Sequence, residues 1–225
     1  MEECLLMVPQ AIRMAQSAFK KYKTRDPYEI IDARHIKLWP FEQPETLLGV
    51  YKVWSRTQYI GINEGADDVQ RLTGILHELG HSLNDYKAAA SGLEFKDNFG
   101  LFSMSTAPME NSANLTAAEL YIEDDFILEQ IYYRQYQRLV AYINAHIGHY
   151  RTDRAKMQFE DEQLQEFYDC HSDMPSYEQL AADLGVDVGL VKFKFKALGY
   201  KDYELPNIPE TRADFLRNWQ RGPEW

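Results

Sequence analysis

Residues 75–83 read ILHELGHSL, and this stretch decides the fold that we expect for the chain. Each helical residue turns by roughly 100°, so His77 and His81 would lie within about 40° of each other on one face of a helix. Four apolar residues cluster on roughly the opposite face, where they can pack on a core: Leu72, Ile75, Leu79 and Leu83. The sequence therefore predicts a helix that turns two imidazoles toward a cleft.

The spacing of residues 77–81 matches the H-E-x-x-H pattern that binds zinc on a helix. Glu78 would lie about 100° to the side of His77, where it can act as a general base on a water molecule without being a ligand. A surface or core histidine pair is the alternative interpretation, but motif and helical phase together favour a metal site. The pattern predicts a zinc-dependent metallopeptidase.

A catalytic zinc ion needs a third protein ligand and an open position. The metzincin pattern would place a histidine six residues after His81, but that residue is Lys87, which excludes this variant. Glu110 is the best candidate because it lies near the start of the next predicted helix. Asn114, one turn further on, can hold an imidazole N–H from behind the metal. The competing acidic residues, in descending order, are Glu119, Glu123 and Glu94.

Four segments together resemble the ImmA/IrrE metallopeptidases of mobile elements, phages and bacterial stress responses. They are DPYEI at residues 26–30, YIGIN at 59–63, HELGH at 77–81 and ENSAN at 110–114. The order matches as well, and the resemblance covers roughly residues 20–125. Thr116 stands where the family pattern has phenylalanine, and Ile122 and Glu123 stand where it has Met-Pro.

The resemblance implies an α+β, thermolysin-like (gluzincin-type) fold with a small antiparallel sheet beside the H-E-x-x-H helix. It also implies Zn²⁺ bound by His77, His81 and Glu110. The implied function is that of a cytoplasmic endopeptidase that cleaves a helix-turn-helix repressor and thereby relieves transcriptional repression. The alternatives are an antirepressor that acts by binding alone and a DNA-binding regulator.

Local patterns around the motif predict the order of the elements. Helices are predicted over residues 9–23, from Asp26-Pro27 onward, from residue 67 or 68 through Leu83, over 109–122, and from Asp124 through Ile143. Strands are predicted over 36–39, 47–54 and 59–63, with a four-residue hairpin turn at 55–58. Residues 84–108 lack periodicity and are predicted to form a long loop.

The strand at residues 59–63 precedes the H-E-x-x-H helix, and an extended peptide substrate can add to an edge strand by main-chain hydrogen bonds. We therefore consider these residues as candidate substrate-binding residues: Tyr59, Ile60, Gly61, Ile62 and Asn63. An internal strand is an equally good interpretation. For stabilisation of the oxyanion, Tyr121, His146, His149 and His171 are available, and nothing in the sequence selects one of them.

The C-terminal part is predicted to be a small helical unit at residues 151–225, following a metallopeptidase domain at 1–150 and a polar connector at 151–162. Residues 180–191 read LAADLGVDVGLV and resemble a helix-turn-helix core, with Ala181 at the helix crossing, Gly185 in the turn and Val191 in the second helix. Lysines 192, 194 and 196 could reach phosphates in a recognition helix. They do not share one helical face, so a packing or partner-gripping module is favoured over a DNA reader.

Composition supports an ordinary folded protein. The 225 residues carry a formal net charge of −11, which opposes non-specific attraction to DNA or anionic membranes. Cys4 and Cys170 are far apart in sequence, which predicts no disulfide scaffold and a reducing compartment. The acidic N-terminus is unlike a signal peptide, and no apolar run has the roughly 18 residues of a membrane span. We expect a cytoplasmic protein without a membrane anchor.

Overall fold

The computed structural model describes residues 2–42, 47–98, 108–128, 130 and 175–201, and within these ranges the chain is an α+β protein. The helices are α1 (Glu2–Tyr22), α2 (Pro27–Ala33), α3 (Asp68–Asn84), α4 (Tyr86–Ala90), α5 (Pro108–Tyr121), α6 (Asp124–Leu128), α7 (Tyr177–Leu184) and α8 (Val188–Gly199). The strands are β1 (Lys37–Phe41), β2 (Leu47–Trp54), β3 (Thr57–Asn63) and β4 (Phe95–Asn98).

The chain divides into two compact units. One comprises Met1–Glu123 and Leu180–Pro206, and the other comprises Asp124–Gln179 and Asn207–Trp225. The H-E-x-x-H helix, the sheet and α8 all belong to the first unit. The predicted domain boundary at residue 150, the connector at 151–162 and the continuation of the helix from Asp124 to Ile143 lie outside the described residues, so they stay predictions.

The four strands form one mixed sheet in the order β1-β3-β2-β4. β2 pairs antiparallel with β3 and β4, but β1 pairs parallel with β3. The prediction of a purely antiparallel sheet was therefore wrong. The cause is that β1 pairs beyond β3 instead of with its sequence neighbour β2, so the chain runs up β1, down β2 and up again along β3.

β3 lies inside the sheet, between β1 and β2. Its residues Thr57–Ile62 pair with Trp54–Gly49 on one side, and Tyr59–Asn63 pair with Lys37–Phe41 on the other. The backbone of Tyr59–Ile62 is thus already paired on both sides. Of the two interpretations of this segment, the internal strand is confirmed and the edge strand was wrong. Within the described part of the chain, the outer strands are β1 and β4.

The β2–β3 turn is shorter than predicted. Trp54 pairs directly with Thr57, which leaves a two-residue turn of Ser55 and Arg56. Both residues have positive φ values, 48° and 64°, as in the type I′ turns that match the twist of a hairpin. The register between β2 and β3 is therefore fixed by a tight two-residue turn and not by the predicted four-residue turn.

α3 begins at a capping box and then runs through the middle of the unit. Asp67 accepts a hydrogen bond from the Gln70 backbone N–H at 2.8 Å, and the Gln70 side chain accepts from the Asp67 N–H at 3.0 Å. Every residue from Thr73 to Leu83 is buried. The helix is therefore enclosed on all sides in this stretch, whereas the sequence predicted one face turned to a cleft.

The segment predicted as a long loop, residues 84–108, contains two short elements. α4 follows α3 after one residue, and β4 adds to β2 at the edge of the sheet. Both elements are too short to show a period, which explains why the pattern predicted neither. Residues 99–107 of this segment lie outside the described part of the chain.

α7 and α8 are joined by a tight turn at Gly185. Its φ of +66° lies in the left-handed region that favours glycine, as the sequence predicted for this position. The Val186 N–H donates to the Ala181 carbonyl at 3.0 Å, and Asp187 caps α8 by accepting from the Gly189 N–H at 2.7 Å. Ala181 and Val191 are both buried.

α8 packs on α5 through a buried ion pair. Lys194 Nζ lies 2.8 Å from Glu119 Oε2, and the two side chains are 1% and 5% exposed. Lys201 donates to the other oxygen of the same carboxylate. In addition, the Asp187 N–H donates to Thr73 Oγ1 of α3 at 3.1 Å. The start and the middle of α8 are therefore tied to both helices that carry the histidines and Glu110.

We expect Lys194→Met to lower the free energy of unfolding by about 3 kcal/mol, because the buried Glu119 carboxylate loses one of its two cations. Urea denaturation followed by circular dichroism measures the loss. Lys196→Met, at a half-buried position on the same helix, should change stability by no more than about 0.5 kcal/mol. Equal losses in the two variants would contradict this account of the contact.

Candidate metal centre

Three possible ligand atoms from α3 and α5 converge on one point. The Nε2 atoms of His77 and His81 lie 3.1 Å apart, and Glu110 Oε2 lies 3.2 Å from the first and 3.3 Å from the second. Both imidazoles are fully buried, and the Glu110 side chain is 26% exposed. The group could hold a metal ion. Within the described residues, it is the one such group of His, Cys, Asp and Glu.

The spacing of these atoms fits a small tetrahedral ion. In a tetrahedral zinc site with bonds of about 2.0–2.1 Å, neighbouring ligand atoms lie about 3.3 Å apart. The three observed separations, 3.1 to 3.3 Å, match that edge length. Two neutral imidazoles and one carboxylate also form a donor set that zinc hydrolases use, with a fourth position left for water or substrate.

Each imidazole is held from behind by a hydrogen-bond acceptor. His77 Nδ1 lies 2.6 Å from Asn114 Oδ1, and His81 Nδ1 lies 2.8 Å from Asp85 Oδ2. Because amide and carboxylate oxygens accept, each Nδ1 carries a hydrogen, and each Nε2 is the ring nitrogen left to bind a metal ion or a proton. The rings are therefore oriented with their ligand atoms toward the shared point, which is the usual arrangement behind metal-binding histidines.

This arrangement requires a positive charge at its centre. Two Nε2 lone pairs at 3.1 Å and a carboxylate oxygen at similar distance repel one another unless a proton or a metal ion lies between them. A metal ion satisfies all three atoms at once, whereas one proton is shared by only two. The observed donor set therefore fits a divalent cation.

Glu110 is held in its charged form. Burial alone would raise the pKa of its carboxyl. When a proton and not a metal ion lies between the three atoms, hydrogen bonds from His77 and His81 and attraction to them outweigh burial and hold the pKa well below its usual range. The carboxyl is consequently ionised at neutral pH, which is the state in which it binds a metal.

The three competitors for the third-ligand position are all engaged elsewhere. Glu119 pairs with Lys194, Glu123 lies 3.3 Å from Arg25, and Glu94 lies 3.1 Å from Lys96 on the surface. The structure thus brings Glu110 to the histidines and none of its competitors. Asn114 lies where the sequence predicted it, while its assigned role and that of Glu110 remain predictions.

Asp85 was missed by the sequence analysis, although a signal was present. It lies four residues after His81 and therefore on the same helical face, within reach of that ring. A carboxylate at this spacing predicts a partner for the second imidazole nitrogen as well as a possible metal ligand.

α3 and α5 approach so closely that residue 80 must be glycine. A Cβ added at Gly80 would overlap the carbonyl oxygen of Ala113 and lie 3.0 Å from its carbonyl carbon. These are backbone atoms that cannot swing aside, so any side chain at residue 80 would push the helices apart. Since Glu110 and Asn114 flank Ala113 on α5, this contact sets their distance from His77 and His81.

Glu78 is fully buried and is not one of the three converging residues. Its carboxyl group lies beside β2, close to the backbone of Gly49. Helical geometry thus turns Glu78 toward the sheet and the two histidines toward α5. This placement agrees with a role other than that of a ligand, as the sequence predicted, and that role stays a prediction.

A polar network supports the end of α3 beside His81, and the sequence analysis did not find it. Arg34 of the α2 C-cap donates to the Ser82 carbonyl at 2.8 Å and to its hydroxyl at 3.0 Å. Gln58 accepts at 2.8 Å from both the Ser82 and the Tyr51 hydroxyls. Burial of Tyr51 raises the pKa of its hydroxyl to about 12, so it stays a donor at neutral pH. The network joins α2, the β2–β3 hairpin and α3.

Of the four candidates for stabilising an oxyanion, Tyr121 lies within the described residues. Tyr121 is the last residue of α5, eleven positions and therefore about 16 Å along the helix axis from Glu110. Burial raises the pKa of its hydroxyl, and so does nearby Asp26. His146, His149 and His171 lie outside the described residues.

Comparison with protein families decides the relationship of this chain. The model of the IrrE N-terminal-like domain, Peptidase_M78, matches residues 35–150, which is more than half of the 225 residues. The chain belongs to this family. The resemblance to ImmA/IrrE proteins is thereby confirmed, and the Peptidase_M78 match includes the whole sheet, α3, α5 and all three converging residues. α1, α2, α7 and α8 lie outside the matched range.

One similar protein comes from Bacillus phage phi105 and is named uncharacterized immunity region protein 2. It is 34% identical over 109 residues, which make up 48% of this chain and 66% of that protein. The match thus spans slightly less than two thirds of the relative. No solved structure matches the chain at a significant level. Among the described helices, none combines the length and apolar content that crossing a bilayer requires.

We expect Gly80→Ala to weaken metal binding strongly and to destabilise the protein. Alanine favours a helix by about 1 kcal/mol, but the overlap with the Ala113 backbone outweighs this gain by about 1–3 kcal/mol. Metal content after purification and thermal unfolding measure both effects. Gly74→Ala on the same helix is the control, because its Cβ would meet only the side chains of Ile62 and Leu48, at 3.3 Å. A full metal equivalent in Gly80→Ala would contradict the spacing argument.

We expect Asp85→Ala to lower metal affinity by about 10–100-fold, because His81 loses the acceptor that fixes its ring. Asp85→Asn keeps an acceptor oxygen and should lose less. Competition with a chromophoric chelator measures the affinities. Glu94→Ala removes a nearby surface carboxylate as a control and should bind metal like the wild type. The prediction fails if Asp85→Ala and Glu94→Ala bind equally tightly.

Proposed function

We propose that this protein is a zinc-dependent endopeptidase. The observation that carries the proposal is the convergence of His77 Nε2, His81 Nε2 and Glu110 Oε2 at 3.1–3.3 Å, with both rings fixed from behind. Membership of the Peptidase_M78 family supports the same reaction class.

In this proposal, His77, His81 and Glu110 hold the zinc ion, and Asn114 and Asp85 fix the two imidazoles. Zinc supplies Lewis-acid polarisation of the scissile carbonyl and lowers the pKa of a water molecule toward about 7. Glu78 takes the proton from the attacking water and later delivers it to the leaving amine. Its burial keeps bulk solvent away from the carboxyl group.

The substrate would bind along β4. This strand is an outer strand of the described sheet and pairs with β2 on one side. Phe95 of β4 stacks on the His81 ring, with 4.2 Å between ring centroids, so the edge of the sheet passes beside the metal group. An extended peptide added to this edge would run past the three ligand atoms. β4 therefore takes the place that the sequence analysis gave to Tyr59–Asn63.

The overall architecture that we propose is thermolysin-like, with a helix-turn-helix-like unit at the C-terminus. Two short helices joined at Gly185 support the second part. The burial of Lys194 against Glu119 argues against use of α8 as a DNA-reading helix, because the central lysine of the three cannot reach a phosphate. A packing role for α8 in the peptidase unit agrees better with these contacts.

For the substrate, we propose a helix-turn-helix repressor, cleaved in the cytoplasm to relieve transcriptional repression. The similarity to a phage immunity region protein supports a role in the control of a mobile element. An endopeptidase that acts on a regulatory protein needs an open edge for an extended segment, which β4 offers within the described residues.

Glu78→Gln tests the enzyme against a protein that acts by binding alone. The change keeps size and shape but removes the base, so zinc content should stay at the wild-type level. Cleavage of a candidate helix-turn-helix repressor should fall by roughly 10²–10⁴-fold. Gel analysis of purified proteins and a reporter for derepression in cells are the two measurements.

His77→Ala serves as the metal-deficient control and Glu94→Ala as the matched carboxylate control. The first should lose both zinc and cleavage, and the second should lose neither. If Glu78→Gln retains zinc and still relieves repression like the wild type, proteolysis is not the mechanism. A non-proteolytic antirepressor would then be the better account.

A further inference from the structure

Gly49 of β2 lies directly against the carboxyl group of Glu78. A Cβ added at residue 49 would overlap Glu78 Oε1 and would lie 3.1 Å from Cγ and 3.2 Å from Cδ of the same side chain. The Glu78 side chain thus occupies the space that any residue larger than glycine would fill. The contact joins β2 to α3 through two residues that are 29 positions apart in sequence.

The backbone does not explain why this residue is glycine. Within the described residues, the glycines with positive φ are Gly92 and Gly185, so Gly49 has a conformation open to other residues. The location of residue 49 in the sheet explains better why it is glycine. A Cβ at position 49 would point toward α3, the helix that carries Glu78, and Tyr51, two residues further along β2, lies on the same face of the strand. The pairing of β2 with β4 is irregular between Leu47 and Gly49, as at bulges that re-aim side chains near active sites.

The contacts at Gly80 and at Gly49 differ in which atoms would have to move if the glycine were replaced. At Gly80 the obstacle is backbone, so the helices themselves must separate. At Gly49 the obstacle is the end of a flexible side chain, which can swing to another rotamer while the fold persists. A side chain at residue 49 would therefore displace the Glu78 carboxylate selectively.

We infer that Gly49 is a positioning residue for Glu78: its missing side chain is the recess that fixes the carboxylate as general base. The inference rests on the proposed function for its catalytic consequence. The steric part concerns two residues that are not metal ligands, so it can be measured in the metal-free protein as well.

Gly49→Ala should keep its zinc and cleave the repressor with an unchanged KM. Its kcat should fall by about 10²-fold, because a catalytic group displaced by about 1 Å loses that much. A pure folding defect would instead lower the active fraction and the zinc content together. Gly61→Ala is the matched control, a glycine of the neighbouring strand whose added Cβ would meet the Trp39 ring instead of Glu78.

Glu78→Asp provides the rescue, since aspartate is one methylene shorter and leaves room for the alanine methyl. In metal-free protein, Gly49→Ala should lower Tm by about 2–4 °C. Adding Glu78→Asp to Gly49→Ala should restore part of this loss, whereas adding it to the wild type or to Gly61→Ala should not. Non-additivity confined to the 49–78 pair supports the inference, and additive effects would overturn it.

The kinetic and thermal readouts separate this inference from the proposed function. A wild-type protein that cleaves, together with a Gly49→Ala variant of equal kcat, overturns the positioning role alone. A wild-type protein that holds zinc but cleaves nothing overturns the proposed function. In that case the coupling of residues 49 and 78 in thermal unfolding still decides whether Gly49 sets the position of the Glu78 carboxylate.

Discussion

The close crossing of α3 and α5 at Gly80 and Ala113 is the contact on which the candidate centre depends. Two histidines one turn apart supply only two ligand atoms, and the third must come from another element. Ligand distances in a metal site tolerate only about 0.2 Å of error. A methyl group at residue 80 would exceed this tolerance, because it would meet backbone on the other side. The glycine inside the motif is thus as much part of the site as the residues beside it.

Local features of the fold were readable from the sequence because their causes lie within one or two helical turns. The proline and aspartate that begin α2, the phase of His77, Glu78 and His81, and the left-handed turn at Gly185 are of this kind. Glu110 was the favoured of four acidic candidates because it lies near the start of the next helix, and the family resemblance implied it as well. The structure places it beside the histidines.

Features that depend on distant partners were not readable. The direction of β1 depends on its pairing with β3, whereas the sequence would equally allow β1 to pair with its neighbour β2. The same pairing makes β3 internal, which no property of residues 59–63 reveals. The sequence suggested that Lys194 could reach a phosphate in a recognition helix, but Lys194 is buried because a carboxylate 75 residues earlier meets it. Asp85 is the exception among the missed residues, because its partner His81 lies only four residues earlier and the spacing was visible in the sequence.

One departure from the family pattern is explained by a distant partner as well. Thr116 replaces a phenylalanine on the core side of α5 and is fully buried. Its hydroxyl accepts from the Asn84 amide at 2.9 Å and donates to the Ala11 carbonyl at 3.3 Å. Asn84 also donates to Ser112 at 3.1 Å. A polar residue is therefore tolerated at this core position because the end of α3 supplies its partner.

The ion pair between Glu119 and Lys194 has a consequence for the order in which the molecule is made. A ribosome adds about 5–20 residues per second, so the 75 residues that separate the two partners take about 4–15 s to synthesise. During this interval α5 has emerged with a carboxylate whose permanent cation does not yet exist. The buried carboxylate of the helix that presents Glu110 therefore gains its Lys194 partner only after α8 has left the exit tunnel.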